Sequence, residues 1–412
     1  MIIRPLLTVC GLLLMLGLFF VVERLSVERR LRFLKLRVAV TGTRGKSSVT
    51  RLVAAALRQS GLNVLAKTTG SAAMVLWPDG TERELQRSGP PTILEHKSIL
   101  RLARRLEAEA LVSEMMSIRP ECLRVEAQKL LKPQVLLITN VRLDHREELG
   151  LTREAVARSL AAGIPPGGAV LVSDDDFFPV FAERAAEVGA KVVRVPAGAI
   201  EPPLGGAAFS PTEFEENIRL ALAAADFLGV PRAAALRGMA NRQPDPGGLR
   251  IYRAKIGSPP APWILASAFA ANEPQSSRMA LERIRNVVPF PRGALAAVLN
   301  LRDDRGDRTL QWLTAIQDDF FREFEAVALV GSRAVSALRR KTRRLENGRR
   351  SRGTRFSVLT ENSPEAVTAA LASAPGFERG GVLVGLGNMG GLGRRLVDYW
   401  ERIGERLEQS RA

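Results

Sequence analysis

From residue 5 to residue 22 the chain carries no charge and is almost wholly apolar, PLLTVCGLLLMLGLFFVV. As a helix this run is about 27 Å long, close to the ~30 Å hydrocarbon core of a bilayer, so it predicts one transmembrane helix. Beyond it the pattern changes to short apolar runs separated by amphipathic stretches. Residues 38–40 are a short apolar strand, and Val49, Leu52, Val53, Ala56 and Leu57 then recur at helical spacing. Gly61 stops that helix, and residues 63–66 form the next strand. Further strand-length apolar runs fall at 110–114, 135–139, 263–266, 294–300, 326–330 and 381–384. Buried strands alternating with helices predict an α/β fold, its sheet mostly parallel and covered on both faces.

At 412 residues the chain is too long for one ordinary domain. Residues 241–248 contain two prolines and two glycines and mark a boundary. The organisation expected is an anchor over 1–22, a basic linker over 23–36, a phosphate-loop α/β domain over 37–235 and a second, Rossmann-like α/β domain over 236–412. No internal repeat is present.

The flanks of the apolar run set its orientation. Arg4 precedes it, while Arg24, Arg29, Arg30, Arg32, Lys35 and Arg37 follow. The positive-inside rule then places the rest of the chain in the cytoplasm, as a single-pass protein of the cytoplasmic membrane. A cleaved signal would need a small-residue cleavage site, and the run passes instead into Phe19-Phe20-Val21-Val22-Glu23.

Two cysteines, Cys10 and Cys122, make no disulfide framework or zinc spacing, and two histidines exclude a multi-histidine metal centre. The net charge is +17, which attracts polyanions such as anionic lipid or an acidic polymer. No motif interleaves aromatic with basic residues as nucleic-acid binders do, so no nucleic-acid partner is expected. Between Arg333 and Arg355 one acid, Glu346, faces ten basic residues. Such a run is ordinarily a solvated surface; contact with anionic lipid or an acidic polymer is the alternative. His96 begins a helix without a partner motif and is expected at the surface. Met115, Met116 and Met279 are expected to fill the core.

The chemistry-bearing segment is Gly42-Thr43-Arg44-Gly45-Lys46-Ser47-Ser48, between the first strand and the first helix of the α/β region. Glycines let backbone approach phosphate, and N–H groups at a helix N-terminus bind the anion. Lys46 can reach the β- and γ-phosphates of ATP, and the Ser47 hydroxyl can sit on Mg²⁺. The general eight-residue phosphate loop would need glycine at position 40, where this chain has Val40.

The compact form G-T-x-G-K-S resembles that of Mur ligases and folylpolyglutamate synthases. Other segments resemble the same superfamily, in order: Lys67-Thr68-Thr69-Gly70, Ala110 to Glu114, Asn140 with Asp144-His145, and the helix opening at Asn217. The resemblance is closer to the ligase subunit of poly-γ-glutamate synthase, the PgsB/CapB family. It rests on Arg44 to Leu52, Val112 to Met116, Pro244-Asp245-Pro246-Gly247 with Arg250, Phe269 to Asn272, Arg302 to Thr309, and Gly385 to Asn388. Two departures separate the chain from Mur ligases. Their D-Y-A-H-N-P stretch is here Ala268-Phe269-Ala270-Ala271-Asn272-Glu273, and no lysine lies between residues 133 and 188 to take the place of their carbamoylated one.

The resemblance implies a two-step ligase reaction. ATP phosphorylates a carboxylate, and an amine then displaces phosphate to leave an amide. It implies Lys46, Glu114, His145 and Arg308 as catalytic residues. Residues 42–48, Asn140, Arg250, Asn272 and Asp307 would bind nucleotide, and Ser47, Thr69, Glu114 and His145 would surround Mg²⁺. It further implies glutamate and a growing polyglutamate chain as substrates, a small hydrophobic membrane subunit as partner, and domain closure as a gate. Another Mur-type or folylpolyglutamate-type ligase, or an ATP-binding membrane scaffold, stays open at this point.

Overall fold

The computed structural model describes residues 3–69, 73–87, 89–144, 146–198, 209, 213–243, 245, 247–288, 290, 294–301, 306–331, 354–359 and 363–407. The basic residues of 332–353 and the candidate ligand His145 therefore lie outside the described residues. The chain divides into two compact units, Met1–Ala207 with Glu215–Gln243, and Ala208–Phe214 with Pro244–Ala412.

The first unit opens with helix α1, Ile3–Phe33. Residues 23–33, expected to be linker, continue the helix without a break. They are rich in Glu, Arg and Leu, good helix formers, and contain neither glycine nor proline. Val27, Leu31 and the following Leu34 recur on one face and are buried. From residue 7 to residue 25 the large apolar side chains are largely exposed, among them Leu14 at 75% and Phe19 at 60%. One helix, Leu7–Phe33, is thus long and apolar enough to cross a membrane.

After α1 come β1 (Leu36–Thr41), α2 (Lys46–Gln59), β2 (Val64–Lys67), a hairpin of β3 (Met74–Leu76) and β4 (Glu82–Glu84), α3 (Glu95–Arg105) and β5 (Ala110–Glu114). Helix α4 (Pro120–Val125) runs into a π-helical turn, Glu126–Leu131, before β6 (Val135–Ile138). Then follow α5 (Arg146–Leu149), α6 (Arg153–Ala161), β7 (Ala169–Val172), α7 (Phe178–Glu187), β8 (Lys191–Arg194), α8 (Glu215–Phe227) and α9 (Arg232–Ala240). The eight strands lie in the order β4-β3-β2-β5-β1-β6-β7-β8, parallel from β2 to β8. The hairpin is antiparallel to β2 and lengthens the sheet at that edge.

The central strands are buried on both faces, which is why they read as continuous apolar runs rather than alternations. One face packs under α3, α4, α6 and α7, joined by Val27, Leu31 and Leu34 of the α1 region. Helix α2 is covered by α8 and α9, so Leu52 to Leu57 are all buried. A Cβ at Gly238 of α9 would stand 2.4 Å from the Ala55 carbonyl oxygen, so only glycine permits that approach. Close packing of α9 on α2 carries the first unit on to Gln243.

The second unit contains β9 (Arg250–Ile256), β10 (Ala261–Ser267), α10 (Pro274–Val287), β11 (Leu295–Asn300), α11 (Gly306–Gln317), β12 (Ala326–Val330), β13 (Arg355–Val358), α12 (Pro364–Ala372), β14 (Gly381–Gly387), α13 (Leu392–Ile403) and β15 (Glu405–Arg406). Its sheet order is β13-β12-β11-β14-β10-β9-β15. The first five are parallel, and β9 turns antiparallel beside β10. Two apolar clusters cover the faces, one around Trp312 and the phenylalanines 320, 321 and 324, the other around Trp263, Phe269, Phe377 and Trp400.

Candidate active site

The phosphate loop joins β1 to α2, with Val40 fully buried in the strand, a place where glycine would forfeit core packing. Gly42 has φ +126°, and a Cβ there would stand 2.1 Å from Thr139 Oγ1. Gly45, the residue before α2, has φ +80°, and its Cβ would meet Asn217 Oδ1 at 2.2 Å. Both positions need glycine twice over, for the left-handed backbone and for space. Lys46 opens the helix and folds back so that Nζ donates to the Gly42 carbonyl at 2.9 Å.

Asn140 follows β6 and clamps the loop from the side. Its Oδ1 accepts from Thr43 Oγ1 at 2.7 Å and from the Arg44 N–H at 3.0 Å, while its Nδ2 donates to the Arg44 carbonyl at 3.2 Å. Thr43 Oγ1 also accepts the N–H of Arg142 at 3.0 Å. Arg44 pairs with Asp144 at 3.3 Å, and Arg142 with Glu216 at 2.8 Å. These bonds and ion pairs hold the loop in shape. Ser48 is half-buried beside Ser47. Sequence reasoning missed Arg142 and Glu216; the one signal for them is that they flank residues the loop motif implicates, Asn140 and Asn217.

Glu114 ends β5, the neighbour of β1, and is 2% exposed. Its Oε2 accepts from Ser47 Oγ at 2.7 Å and from the Thr69 N–H at 2.7 Å. Thr69 thus meets the carboxylate through its backbone. Among the described residues no hydrogen bond reaches Glu114 Oε1. A buried carboxylate and a hydroxyl, touching beside a phosphate loop, are hard oxygen donors suited to a divalent cation shared with phosphate oxygens. Among the described residues no group of three or more His, Cys, Asp or Glu could hold a metal by itself.

His96 is not at the surface. It is fully buried, and its Nε2 lies 2.6 Å from Glu126 Oε1, with Ser113 Oγ 3.4 Å from Nδ1. The sequence hid this because Glu126 sits 30 residues further on, in a π-helical turn. Glu126 accepts the N–H of Met116 at 3.0 Å and of Ser117 at 3.0 Å, pinning the chain just after Glu114. Burial pushes the His96 imidazole below its ordinary value against the pull of Glu126. Burial alone would raise the Glu126 carboxyl, but the hydrogen bonds from His96, Ser117 and the Met116 N–H outweigh it and hold the carboxyl low. The pair is therefore a neutral imidazole donating from Nε2 to a carboxylate. Both shifts act in the same direction. Below about pH 6.5 the unfolded chain protonates His96 while burial keeps the folded imidazole neutral, so the unfolded state binds more protons. Stability should hold at neutral pH, fall as pH drops through about 6.5, and fall again through the carboxylate range. His96→Gln should flatten the first descent, as thermal denaturation across pH 5 to 8 will read. His96→Leu, which strands a buried carboxylate, should cost about 3–5 kcal/mol.

Beside this pair Lys67 ends β2, fully buried, with Nζ 3.4 Å from Glu95 Oε2. Burial lowers its ammonium, and Glu95, Glu126 and Glu114 offset part of that.

In the second unit the implicated residues gather at one sheet edge. Asn300 and Asn388 follow through from β11 and β14: Asn300 Nδ2 donates to the Asn388 carbonyl at 2.6 Å, and Arg308 Nη1 donates to Asn388 Oδ1 at 3.1 Å. Arg308 is 7% exposed. Asn272, beyond β10, has φ +46°, and its carbonyl accepts from Trp312 Nε1 at 3.1 Å. Arg250 opens β9 opposite Ser267, which places it at the same edge, and it donates to Glu401 at 3.2 Å. Asp307 lies in α11, its side chain outside the described residues.

A parallel sheet with this loop after β1, and a carboxylate clasped to it from the next strand, defines a phosphate-loop domain of the Mur-ligase type. Comparison with known proteins agrees. The Mur ligase middle domain matches residues 40–221, and the poly-gamma-glutamate synthase CapB C-terminal domain matches residues 254–403. Bifunctional folylpolyglutamate synthase/dihydrofolate synthase from Yersinia pestis CO92 has the same fold, at TM-score 0.63 and 19% identity, covering 92% of this chain and 93% of that one. The same enzyme has been crystallised with AMPPNP and Mn ion, at TM-score 0.61. The chain is 32% identical to PGA synthase CapB of Bacillus subtilis (strain 168) over 305 residues, 74% of this chain and 76% of that protein. It is 35% identical to capsule biosynthesis protein CapB of Bacillus anthracis over 292 residues, 70% of this chain and 62% of that protein. The chain thus spans less than two thirds of the Bacillus anthracis relative. It belongs to the CapB family of poly-γ-glutamate synthases.

Proposed function

We propose that this chain is an ATP-dependent amide ligase that builds γ-linked polyglutamate through an acyl phosphate, releasing ADP and phosphate. The observation that carries the reading is the clasp of Glu114 by Ser47 and the Thr69 N–H beside a formed phosphate loop, in a chain of the CapB family. Phosphoryl transfer to a carboxylate brings two anions together, so it needs positioned cations and N–H groups more than covalent help. Lys46 leaves the Gly42 carbonyl to hold the β- and γ-phosphates, and the N–H groups at the start of α2 cradle them. The Glu114 carboxylate and the Ser47 hydroxyl would hold Mg²⁺, which would supply charge neutralisation at the transferring phosphoryl group. His145 belongs to the same site in this reading. Arg308 and Arg250, in a C-terminal unit we assign as Rossmann-like, serve anionic ligands.

In the same reading α1 spans the cytoplasmic membrane once, with both units in the cytoplasm, and a small hydrophobic membrane subunit completes the synthase. Glutamate and its polymer are the substrates, and the +17 charge suits an acidic chain. The test is ADP and phosphate release from membranes carrying the protein, with and without that subunit. Release that requires glutamate and yields polymer is the expected result. ADP release driven by folate and glutamate alone would move the chain to the folylpolyglutamate type, and nucleotide binding without turnover to a scaffold.

A further inference from the structure

The direction in which α1 enters the first unit decides which side of that unit meets the bilayer. Helix α3 connects β2 to β5, which are parallel neighbours, so it starts at the C-terminal edge of the strands and returns to their N-terminal edge. Its first residues confirm the level. Glu95 lies 3.4 Å from Lys67, the last residue of β2, and His96 lies 3.4 Å from Ser113, next to last in β5. Its far end lies at the other edge, where Asn63 Nδ2, just before β2, donates to the Leu106 carbonyl at 3.0 Å.

Helix α1 lies alongside α3 and runs the same way. Glu23 pairs with Lys97, in the first turn of α3, at 2.5 Å. Ten residues on, the Phe33 ring lies under the Arg104 guanidinium, 4.1 Å from its centroid, in the last turn of α3. Lys132 pairs with Glu28, and Arg37 closes the end of α1 by donating to the carbonyls of Leu31 at 2.9 Å, Leu34 at 3.0 Å and Lys132 at 2.8 Å. With no glycine or proline between residues 23 and 33, the docked half continues stiffly into the apolar half. The apolar run therefore leaves the unit at the C-terminal edge of the sheet. Gly42 to Ser47, Thr69, Glu114 and Asn140 all stand on that edge.

We infer that the phosphate-loop edge of this unit rests against the headgroup layer of the bilayer that α1 spans. The inference rests on the membrane reading above and adds the face presented. The uncharged run ends at Val22, one residue before the Glu23–Lys97 pair, so the strand ends lie within about one helical turn, ~5 Å, of the hydrocarbon boundary. The headgroup layer is itself about 5–8 Å deep per leaflet. The surface at that edge suits the occupant. The loop over 89–94 has no charged residue and exposes Pro90, Pro91 and Leu94, the last at 50%, while Arg119 after β5 and Arg24 on α1 stand exposed for lipid phosphates. The acidic product would then be made at the membrane surface rather than in bulk cytoplasm.

The experiment uses the full chain in vesicles of zwitterionic and anionic phospholipid, in a Cys10→Ser, Cys122→Ser background. A fluorophore is placed at Thr92→Cys, with Pro91→Cys as an independent second probe, and at Gln59→Cys on the opposite edge. Lipids spin-labelled at the headgroup should quench most of the emission at 91 and 92 and leave 59 bright. Alkaline carbonate separates the two levels of the reading. Protein retained in the membrane with 91 and 92 unquenched, or with 59 quenched more, overturns the orientation while keeping the anchor. Protein released by carbonate overturns the anchor and the orientation with it.

Discussion

Lys46→Ala should abolish glutamate-dependent ADP release, lowering it by at least about a hundredfold, the scale seen when one preorganised donor to developing charge is removed. The side chain is half-buried at the start of α2 and bonds back to the Gly42 carbonyl. The loop's shape is held by others: Asn140 on Thr43 and Arg44, and the glycines at 42 and 45. Alanine at the first position of a helix is a good helix former, so α2 should persist. The variant should therefore keep its melting temperature and its membrane association, and weaken nucleotide binding less than turnover. Undiminished ADP release would remove the loop from the assigned site. A collapsed melting transition would instead show that Lys46 holds the loop together.

What the sequence revealed here, and what it hid, follow the range of the interactions concerned. The phosphate loop was legible because strand, turn and helix are contiguous, and because Gly42 and Gly45 are required by backbone that only glycine adopts cheaply. Glu114 was legible as a carboxylate closing a short, mainly apolar run, Ala110-Leu111-Val112-Ser113, the mark of a strand end in a parallel sheet. His96 was misread because its partner lies across the fold in a π-helical turn, which no periodicity marks. The stretch from 23 to 33 was misread because its charges suit a tether as well as a helix, and only the burial of Val27, Leu31 and Leu34 separates the two. The β3–β4 hairpin went unseen because each strand is three residues long, too short for alternation to register. The CapB resemblance and the geometry are complementary here: one names the chemistry, the other shows that Ser47, Thr69 and Glu114 meet.

Glu114→Gln should be the more discriminating variant. Glutamine keeps the shape and one acceptor oxygen, so Ser47 Oγ or the Thr69 N–H still finds a partner and the turn after β2 stays in place. What it removes is the negative charge, in a pocket where the carboxylate is 2% exposed and where solvent cannot screen its loss. If the carboxylate holds a divalent cation with the Ser47 hydroxyl, the half-saturating metal concentration should rise tenfold or more, on the scale seen when a group ordering a metal site is removed, and turnover at ordinary metal should fall by about a hundredfold. Raising the metal should recover part of that loss. Metal-free nucleotide binding should change little, since Lys46 and the loop N–H groups remain. A metal titration of ADP release on both proteins reads all of this. An unshifted metal dependence with reduced turnover would leave Glu114 as a support for the Thr69 loop and nothing more. The negative charge also offsets the buried ammonium of Lys67, whose proton Glu114 helps to retain. The variant should therefore lose stability at neutral pH by a small margin that Lys67→Met in the same chain recovers, a coupling that a double-mutant cycle on the melting temperature will detect.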